Sequence, residues 1–344
     1  MLFPLFSVQN RTQSNKKMKR LFSTIPMLLS AAAAGTVAAQ EVGGYGYLSL
    51  PVSAHAAALG GTLVSVVEPD LALSEQNAAL LCPEMSGQLA VGYMNYVADV
   101  NLAYAAYGGR FLELGGWTAS ARLLSYGDFD GYDAEGHPTG TFSAKDVALS
   151  AGVGYPLSEH WRIGGFARAL YSKYESYSAF ALSVDVGVNY YNEVTGRSLS
   201  AVVTGLGGQL KRMEDRAQPV RPDLVVGWSK EIEHLPFCLT LTAYRLFDWD
   251  DEYVRGDGTV HRYSGGDRLL THLNFGAEWV ATDDVWVGLG YNYRRQREFS
   301  GGGGLLRGLS VGGGLHWRSL MVEVAYGRYN AVDGSLSLGL GYSF

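Results

Sequence analysis

The chain has 344 residues, among them 45 Gly, 22 Tyr, 10 Pro and 2 Cys, with 17% charged residues and a formal net charge of −6. This composition excludes a disordered chain, which needs more charge and fewer aromatic residues, and a disulfide scaffold, which needs far more cysteine. After the N-terminal region, no stretch approaches the roughly 20 consecutive apolar residues of a membrane-spanning helix, which excludes a helical inner-membrane protein. If the protein crosses a membrane, it must do so with strands.

Residues 1–39 have the features of an export signal in the expected order. Basic residues within 16–20 precede an apolar core over 21–34, and small residues follow before Gln40. Met18 is an alternative start. Removing this segment takes away five basic and no acidic residues, so the mature chain would carry 22 basic against 33 acidic residues, a net charge of −11. An exported protein this acidic is a poor candidate for nucleic-acid binding, which depends on neutralising phosphates.

From residue 88 onward, apolar and small or polar residues alternate with a period of two. In 335–344, for example, leucine and aromatic residues occupy every even position, and serine or glycine every odd position. A soluble sandwich also alternates in this way. Length favours a membrane barrel, because the segments run to about ten residues, which suits a tilted crossing of the bilayer. The final aromatics, Tyr342 and Phe344, resemble the C-terminal signal read by the outer-membrane barrel assembly machinery.

The alternating segments number about fourteen, an even number as in bacterial outer-membrane barrels. They cover 88–97, 100–110, 113–126, 143–155, 161–174, 178–191, 198–210, 222–230, 236–247, 270–280, 284–295, 305–317, 319–328 and 334–344. Short links alternate with longer polar ones at 127–142, 211–221, 248–269 and 296–304. Short periplasmic turns and longer external loops are typical of such barrels. We therefore predict an all-β fold, with residues 88–344 forming a transmembrane antiparallel β-barrel of about 14 strands in the bacterial outer membrane.

The sequence contains no recognisable catalytic, metal or cofactor motif. None of the seven histidines stands at a spacing that links it to a nucleophile, and the glycines at 301–304 and 312–314 lack the strand and helix of a nucleotide loop. The acidic segment 128–136 could hold calcium, but it does not fit the twelve-residue spacing, and a solvated loop is preferred. For Cys82 and Cys238, free buried thiols are preferred over a disulfide. We predict a protein without enzymatic activity, cofactor or metal.

A different kind of segment, 40–87, precedes the first strand. Its alanine run suits a helical turn that the glycine pair after it would end. Its motif residues are Pro51, Ser53, Ala54, Leu59, Gly60, Gly61 and Asn77. We expect this segment to be plug-like.

These residues belong to a set of motifs spread over nearly the whole mature chain. The set comprises Leu50-Pro51-x-Ser53-Ala54, Ala58-Leu59-Gly60-Gly61, Tyr93-x-Asn95-Tyr96-x-x-Asp99-x-Asn101, Gly140-x-Phe142-Ser143-Ala144-x-Asp146, Tyr171-Ser172-x-Tyr174-Glu175-x-Tyr177 and Asp185-x-Gly187. With these motifs the sequence resembles the long-chain fatty-acid transporter superfamily of outer-membrane barrels, and within it the barrels of the type IX secretion system of Bacteroidetes. The resemblance implies a plug inside the lumen. Two positions depart from the pattern: His55 replaces an arginine, and Ala78 replaces a proline, which removes a fixed φ angle.

The resemblance implies a non-enzymatic role in type IX secretion, as the barrel that anchors the surface protein PorZ in the cargo-attachment complex. Through PorZ the partners would include the sortase-like PorU and the barrel PorV, with outer-membrane lipid and lipopolysaccharide around the barrel. The alternative is a channel for hydrophobic small molecules such as fatty acids, as the wider superfamily implies. A hydrolase at the barrel rim is a third hypothesis, for which no site is found.

Two external loops mix acidic and aromatic residues, a combination that supplies both contact area and orientation at a docking surface. The predicted docking residues are Asp128, Phe129, Asp130, Tyr132, Asp133, Trp249, Asp250, Asp251 and Tyr253. If the protein is an anchor, these loops and not the lumen carry its function. The competing interpretation is that they are solvated cover over the barrel mouth.

Overall fold

A computed structural model describes residues 45–132, 137–213, 219–249, 252–254, 260–282, 284–298, 305–329 and 334–344. The predicted export signal, 1–39, lies outside the described residues. Fourteen strands pair antiparallel, each with its neighbours, and the first pairs with the last to close a barrel. The predicted fold class is therefore confirmed.

The barrel strands are β1 (Gln88–Val97), β2 (Val100–Phe111), β3 (Gly115–Tyr132), β4 (Pro138–Pro156), β5 (Trp161–Tyr174), β6 (Tyr177–Asn192), β7 (Arg197–Lys211), β8 (Asp223–Glu231), β9 (Phe237–Ala243), β12 (Leu273–Thr282), β13 (Val285–Asn292), β14 (Leu309–Trp317), β15 (Leu320–Gly327) and β16 (Ser335–Ser343). A separate two-stranded sheet, β10 (Glu252–Val254) and β11 (Val260–Arg262), lies between β9 and β12 in the chain. Three short helices are α1 (Ala54–Ala58), α2 (Gly265–Leu270) and α3 (Tyr293–Glu298). None of the helices among the described residues is long and apolar enough to span a membrane.

The large apolar side chains of the barrel face outward. On β16, Leu336, Leu338 and Leu340 are 43–51% exposed, whereas Ser335 and Ser337 on the same strand are buried. Water would penalise a continuous belt of exposed leucine, but lipid does not. The alternation therefore places lipid-facing residues outside and small residues inside, the reverse of a soluble sandwich.

The connections are sorted by length. The turns after β2, β4, β6, β8, β12 and β14 are short and lie at the same edge as the start of β1 and the end of β16. The long connections, 244–272 and 293–308 among them, all lie at the opposite edge. In outer-membrane barrels the short-turn edge is periplasmic and the long-loop edge external.

Several predicted boundaries are wrong at the external edge. The segment 127–142 is mostly not a loop, because β3 and β4 continue to pair through it, with Phe129 opposite Phe142 and their rings stacked at 5.5 Å. The strand predicted over 236–247 ends at Ala243, since Arg245 has a left-handed φ of 56° that a strand does not tolerate. Past β13, the chain turns into α3 where the sequence predicted continued strand.

Residues 45–87, which we call the plug, lie inside the barrel. The hydroxyl of Ser53 caps α1 by accepting a hydrogen bond from the Ala56 amide at 3.2 Å. Gly60 and Gly61, both at φ 98°, end it as the sequence predicted. Ala78 occupies the position of the motif proline. The side chain of Asn77 before it accepts a hydrogen bond from the Ala79 amide at 3.0 Å and starts a 3-10 turn over Ala78–Leu80.

Candidate functional site

The candidate site is the interface between the plug and the inner wall of the barrel. Inward-facing glycines let the plug backbone lie directly against the strands. A Cβ atom added at Gly164 would lie 2.3 Å from the carbonyl carbon of Ala78, and one at Gly290 would lie 2.2 Å from the Gly60 nitrogen. A Cβ added at Gly312, in the glycine-rich stretch 312–314, would lie 2.7 Å from the Ala58 Cβ. These contacts leave no room for side chains at the glycine positions.

The core of the plug is completely enclosed. Ala54, Leu59, Leu63, Ala79 and several neighbours of theirs have at most 1% of their surface exposed. Leu59 packs where β12 and β13 present Gly276 and Gly288, so that its side chain lies 3.1–3.3 Å from the position of an added Cβ at either glycine. In this conformation the core of the plug packs tightly against the inner wall of the barrel.

The first polar cluster of the interface, the arginine cluster, joins the plug to β5 and β6. The guanidinium of Arg168 forms an ion pair with Glu75 of the plug and donates to Asp185 on β6 at 2.7 Å and to the Ser150 hydroxyl at 2.9 Å. Its second Nη also donates to the Glu75 backbone carbonyl at 2.9 Å. Burial would raise the pKa of Glu75, but the charges of Arg168 and Arg122 outweigh it and hold the pKa below its ordinary value. Glu75 therefore stays ionised and firmly held.

A second arginine fixes the start of the plug. Arg122 on β3 is 5% exposed, and its Nη1 donates to the backbone carbonyls of Tyr47 at 3.1 Å and Leu48 at 2.8 Å. The carboxylate of Glu75 also accepts from the Tyr104 hydroxyl at 3.1 Å and the Ser120 hydroxyl at 2.9 Å. Hydrogen bonds to charged groups each contribute about 1.5–3 kcal/mol, so these contacts tie the plug strongly to the wall.

Motif residues that carry the resemblance converge on this interface. Asp185 belongs to the arginine cluster, and Gly187 leaves room for Asn77, whose Oδ1 would lie 2.2 Å from an added Cβ. Asp146 accepts from the hydroxyls of Tyr126 at 2.6 Å and Tyr174 at 2.9 Å. These positions are far apart in sequence, and only the closed barrel brings them to the lumen.

The second polar cluster, the histidine cluster, was not predicted. His55 stacks on Trp286 with ring centroids 4.0 Å apart, and its Nε2 lies 3.2 Å from Glu278 on β12. Its Nδ1 lies 3.6 Å from Glu68 of the plug. Burial would lower the pKa of His55, but Glu68 and Glu278 raise it to about 10. Burial raises the pKa of Glu68 to about 7, and it also raises that of Asp70, which lies in the same cluster.

The predicted docking residues lie at the external edge, away from the plug. Asp128, Phe129 and Asp130 are exposed near the tip of the β3–β4 hairpin. Trp249 is 42% exposed and packs against His272 with ring centroids 4.1 Å apart and ring planes tilted by 35°. The predicted residues whose structure or side chains lie outside the described set are Tyr132, Asp133, Asp250, Asp251 and Tyr253. A docking role for these loops stays a prediction.

The two cysteines and the C-terminal aromatic residues lie outside the two polar clusters. Cys82 and Cys238 are both free thiols, and burial raises the pKa of Cys82 to about 12, which leaves it inert. Phe344 is 82% exposed, and its ring packs edge-on against Tyr342 at 4.9 Å. Its amide donates to the Gly87 carbonyl at 3.1 Å, which places the predicted assembly signal beside the seam between β1 and β16.

No protein-family model and no curated protein sequence matches the chain. Among solved structures, the toluene transporter TodX of Pseudomonas putida superposes with a TM-score of 0.53 at 11% identity, covering 83% of this chain and 96% of TodX. A FadL homologue of Pseudomonas aeruginosa superposes with a TM-score of 0.48 at 10% identity, covering 85% of this chain and 98% of the homologue. The monoaromatic hydrocarbon channel CymD superposes with a TM-score of 0.49 at 11% identity, covering 88% of this chain and 99% of CymD. The chain shares the barrel fold of TodX. That fold places it in the bacterial outer membrane.

Proposed function

We propose that the protein is an outer-membrane channel for small hydrophobic molecules, closed by its plug in the conformation observed. The supporting observation is the shared fold with the toluene transporter TodX, over nearly the whole of both barrels. Because the side chains at the core of the plug are buried, we infer that passage of a molecule requires the plug to shift. The arginine and histidine clusters, which tie the plug to the wall, would then set the energy of opening.

A cross-link between plug and wall tests this proposal. The Cβ of Ala54 in α1 lies 3.6 Å from the position of a Cβ at Gly339 on β16, within the range of about 3.5–4.5 Å that disulfides require. In cells expressing Ala54→Cys/Gly339→Cys, we expect uptake of radiolabelled toluene or fatty acid to fall to background under oxidation and to recover on reduction. Each single-cysteine variant is the matched control. Equal uptake before and after cross-linking would contradict gating by the plug.

A second candidate function is the anchor role implied by the resemblance to PorQ of the type IX secretion system. In this reading the barrel holds PorZ at the cell surface, and with it the attachment complex that includes PorU and PorV. Two observations favour it: the plug fills its part of the lumen, and acidic and aromatic side chains lie exposed at the external edge. An anchor needs a stable barrel and a docking surface, and it needs no path through the lumen.

Substitutions at the external edge test the anchor role. Replacing Asp128, Phe129 and Asp130 with serine, and in a second variant Trp249 with serine, removes the described aromatic and acidic contacts without touching the plug. We expect at least one variant to lose most of its surface-retained PorZ, measured by fractionation of the native outer membrane. Trp161→Ser, an exposed aromatic at the periplasmic end, is the control. Full PorZ retention in both variants would rule out docking through these residues.

A further inference from the structure

Four carboxylates surround the imidazole of His55 where the plug meets the barrel wall. Glu68 and Asp70 come from the plug, Glu278 from β12 and Glu323 from β15. One nitrogen of His55 and one oxygen each of Asp70 and Glu323 lie within 4.8 Å of one another, and the same holds for His55, Glu68 and Glu278. All except Glu68 are at most 3% exposed. Distant segments of the chain thus form two sets of potential metal ligands that share His55.

Two oxygens of the cluster are left without a partner. Asp70 Oδ2 and Glu323 Oε1 are buried and accept no hydrogen bond from any described residue. Within the described ranges, no lysine or arginine lies within 4.0 Å of any of the four carboxylates, whose only ion-pair partner is His55. A buried carboxylate without a partner is costly, and a single imidazolium cannot balance four carboxylates. The cluster therefore needs further positive charge, which protons on the carboxylates or a bound cation can supply.

The imidazole is held in the orientation that metal-binding histidines adopt. Glu278 lies 3.2 Å from Nε2, and Trp286 stacks on the ring face, so the ring cannot turn freely. Histidines that bind metals commonly direct their second ring nitrogen at a carboxylate, which fixes the tautomer and the ring plane. The other ring nitrogen, Nδ1, faces a carboxylate oxygen of Glu68 at 3.6 Å. This separation is close to the roughly 3.4 Å between ligand atoms around a tetrahedral zinc ion.

We propose that His55 Nδ1 and the carboxylates of Glu68, Asp70 and Glu323 bind a divalent transition-metal ion of the Zn²⁺ type, with Glu278 orienting the imidazole. Mixed imidazole and carboxylate ligands suit such ions. Ligand atoms are up to 4.8 Å apart within each set, and Glu68 belongs to a different set from Asp70 and Glu323, so the carboxylates must turn inward around the ion. Glu68, whose side chain is 35% exposed, is the ligand that an incoming ion would reach first. A bound ion joins two parts of the plug to β15, and this holds whether the barrel is a channel or an anchor.

Metal content of the purified protein tests the site. The full mature chain, without a histidine tag, is stripped with chelator in detergent, incubated with Zn²⁺, desalted and measured by inductively coupled plasma mass spectrometry. We expect about one zinc per chain in the wild type. Asp70→Asn and Glu323→Gln should each weaken zinc binding by at least about tenfold, as removal of a metal ligand does, and Glu278→Gln by about 10–100-fold.

Glu84→Gln is the matched control, because it makes the same chemical change at an exposed position of the plug outside both clusters and should leave zinc binding unchanged. Heat-modifiable gel migration confirms that each variant is a folded barrel. Absence of stoichiometric zinc from the wild type would overturn the proposal, as would zinc retention in both Asp70→Asn and Glu323→Gln. Equal loss in Glu84→Gln would also overturn it, since zinc binding would then not depend on the carboxylates around His55.

Discussion

Arg168→Met is expected to destabilise the folded protein by about 3–5 kcal/mol, the usual result of removing one partner from a buried ion pair. Methionine fills much of the volume of the arginine stem but carries no charge. Glu75 and Asp185 would then face each other without the guanidinium that now lies between them. Because Glu75 belongs to the plug and Asp185 to β6, their repulsion should push the plug away from the wall.

The effect is measured as the loss in unfolding free energy in lipid vesicles, followed by tryptophan fluorescence against urea concentration. Arg110→Met, at an exposed position on β2, is the matched control and should change stability by less than about 0.5 kcal/mol. The double variant Arg168→Met/Glu75→Gln should recover part of the lost stability, because it neutralises one of the two carboxylates that are left without the guanidinium. Equal stability of Arg168→Met and Arg110→Met would show that the arginine cluster does not hold the plug.

The barrel was largely predictable because its signal is local. Alternation with a period of two can be recognised within any stretch of about ten residues. The predicted bounds 88–97 and 161–174 agree with β1 and β5. The glycine pair that ends α1 was equally predictable, since glycine adopts positive φ without steric penalty and commonly follows the last turn of a helix. Errors concentrate at the external edge. There, glycine and acidic residues within 127–142 were interpreted as a loop, although β3 and β4 continue to pair. Alternating aromatic residues were interpreted as continued strand where α3 begins.

The contacts of the plug were not predictable, because they depend on strand register and on which wall each plug segment meets. His55 and Glu278 are 223 residues apart, and no spacing rule connects them. One signal was present in the sequence. Glu278 and Glu323 are isolated charges within membrane-spanning strands, and a charge at such a position usually faces inward and has a partner. Searching the strands for charged residues at inward positions would have pointed to the histidine cluster.

Gly164→Val is expected to expel the plug from its seat while leaving the barrel closed. The added Cβ would lie 2.3 Å from the carbonyl carbon of Ala78, 2.4 Å from its oxygen and 2.5 Å from the Ala79 nitrogen. All three are backbone atoms, so no side-chain rotation relieves the overlap. Valine has high strand propensity, so β5 itself tolerates the change. The plug must move, and the buried caps and ion pairs around the Ala78–Leu80 turn must move with it.

Gly208→Val is the matched control, because the same change on β7 meets nothing within 4 Å. We expect both variants to show heat-modifiable migration, but only Gly164→Val should make 45–87 sensitive to protease in detergent. In planar bilayers, the mean single-channel conductance of Gly164→Val should exceed that of the wild type several-fold, because the space now filled by buried alanine and leucine side chains becomes accessible to ions. If Gly164→Val stays as protease-resistant and as poorly conducting as Gly208→Val, the plug does not close the lumen through its contact with β5, and the seating of Ala78 against Gly164 is wrong.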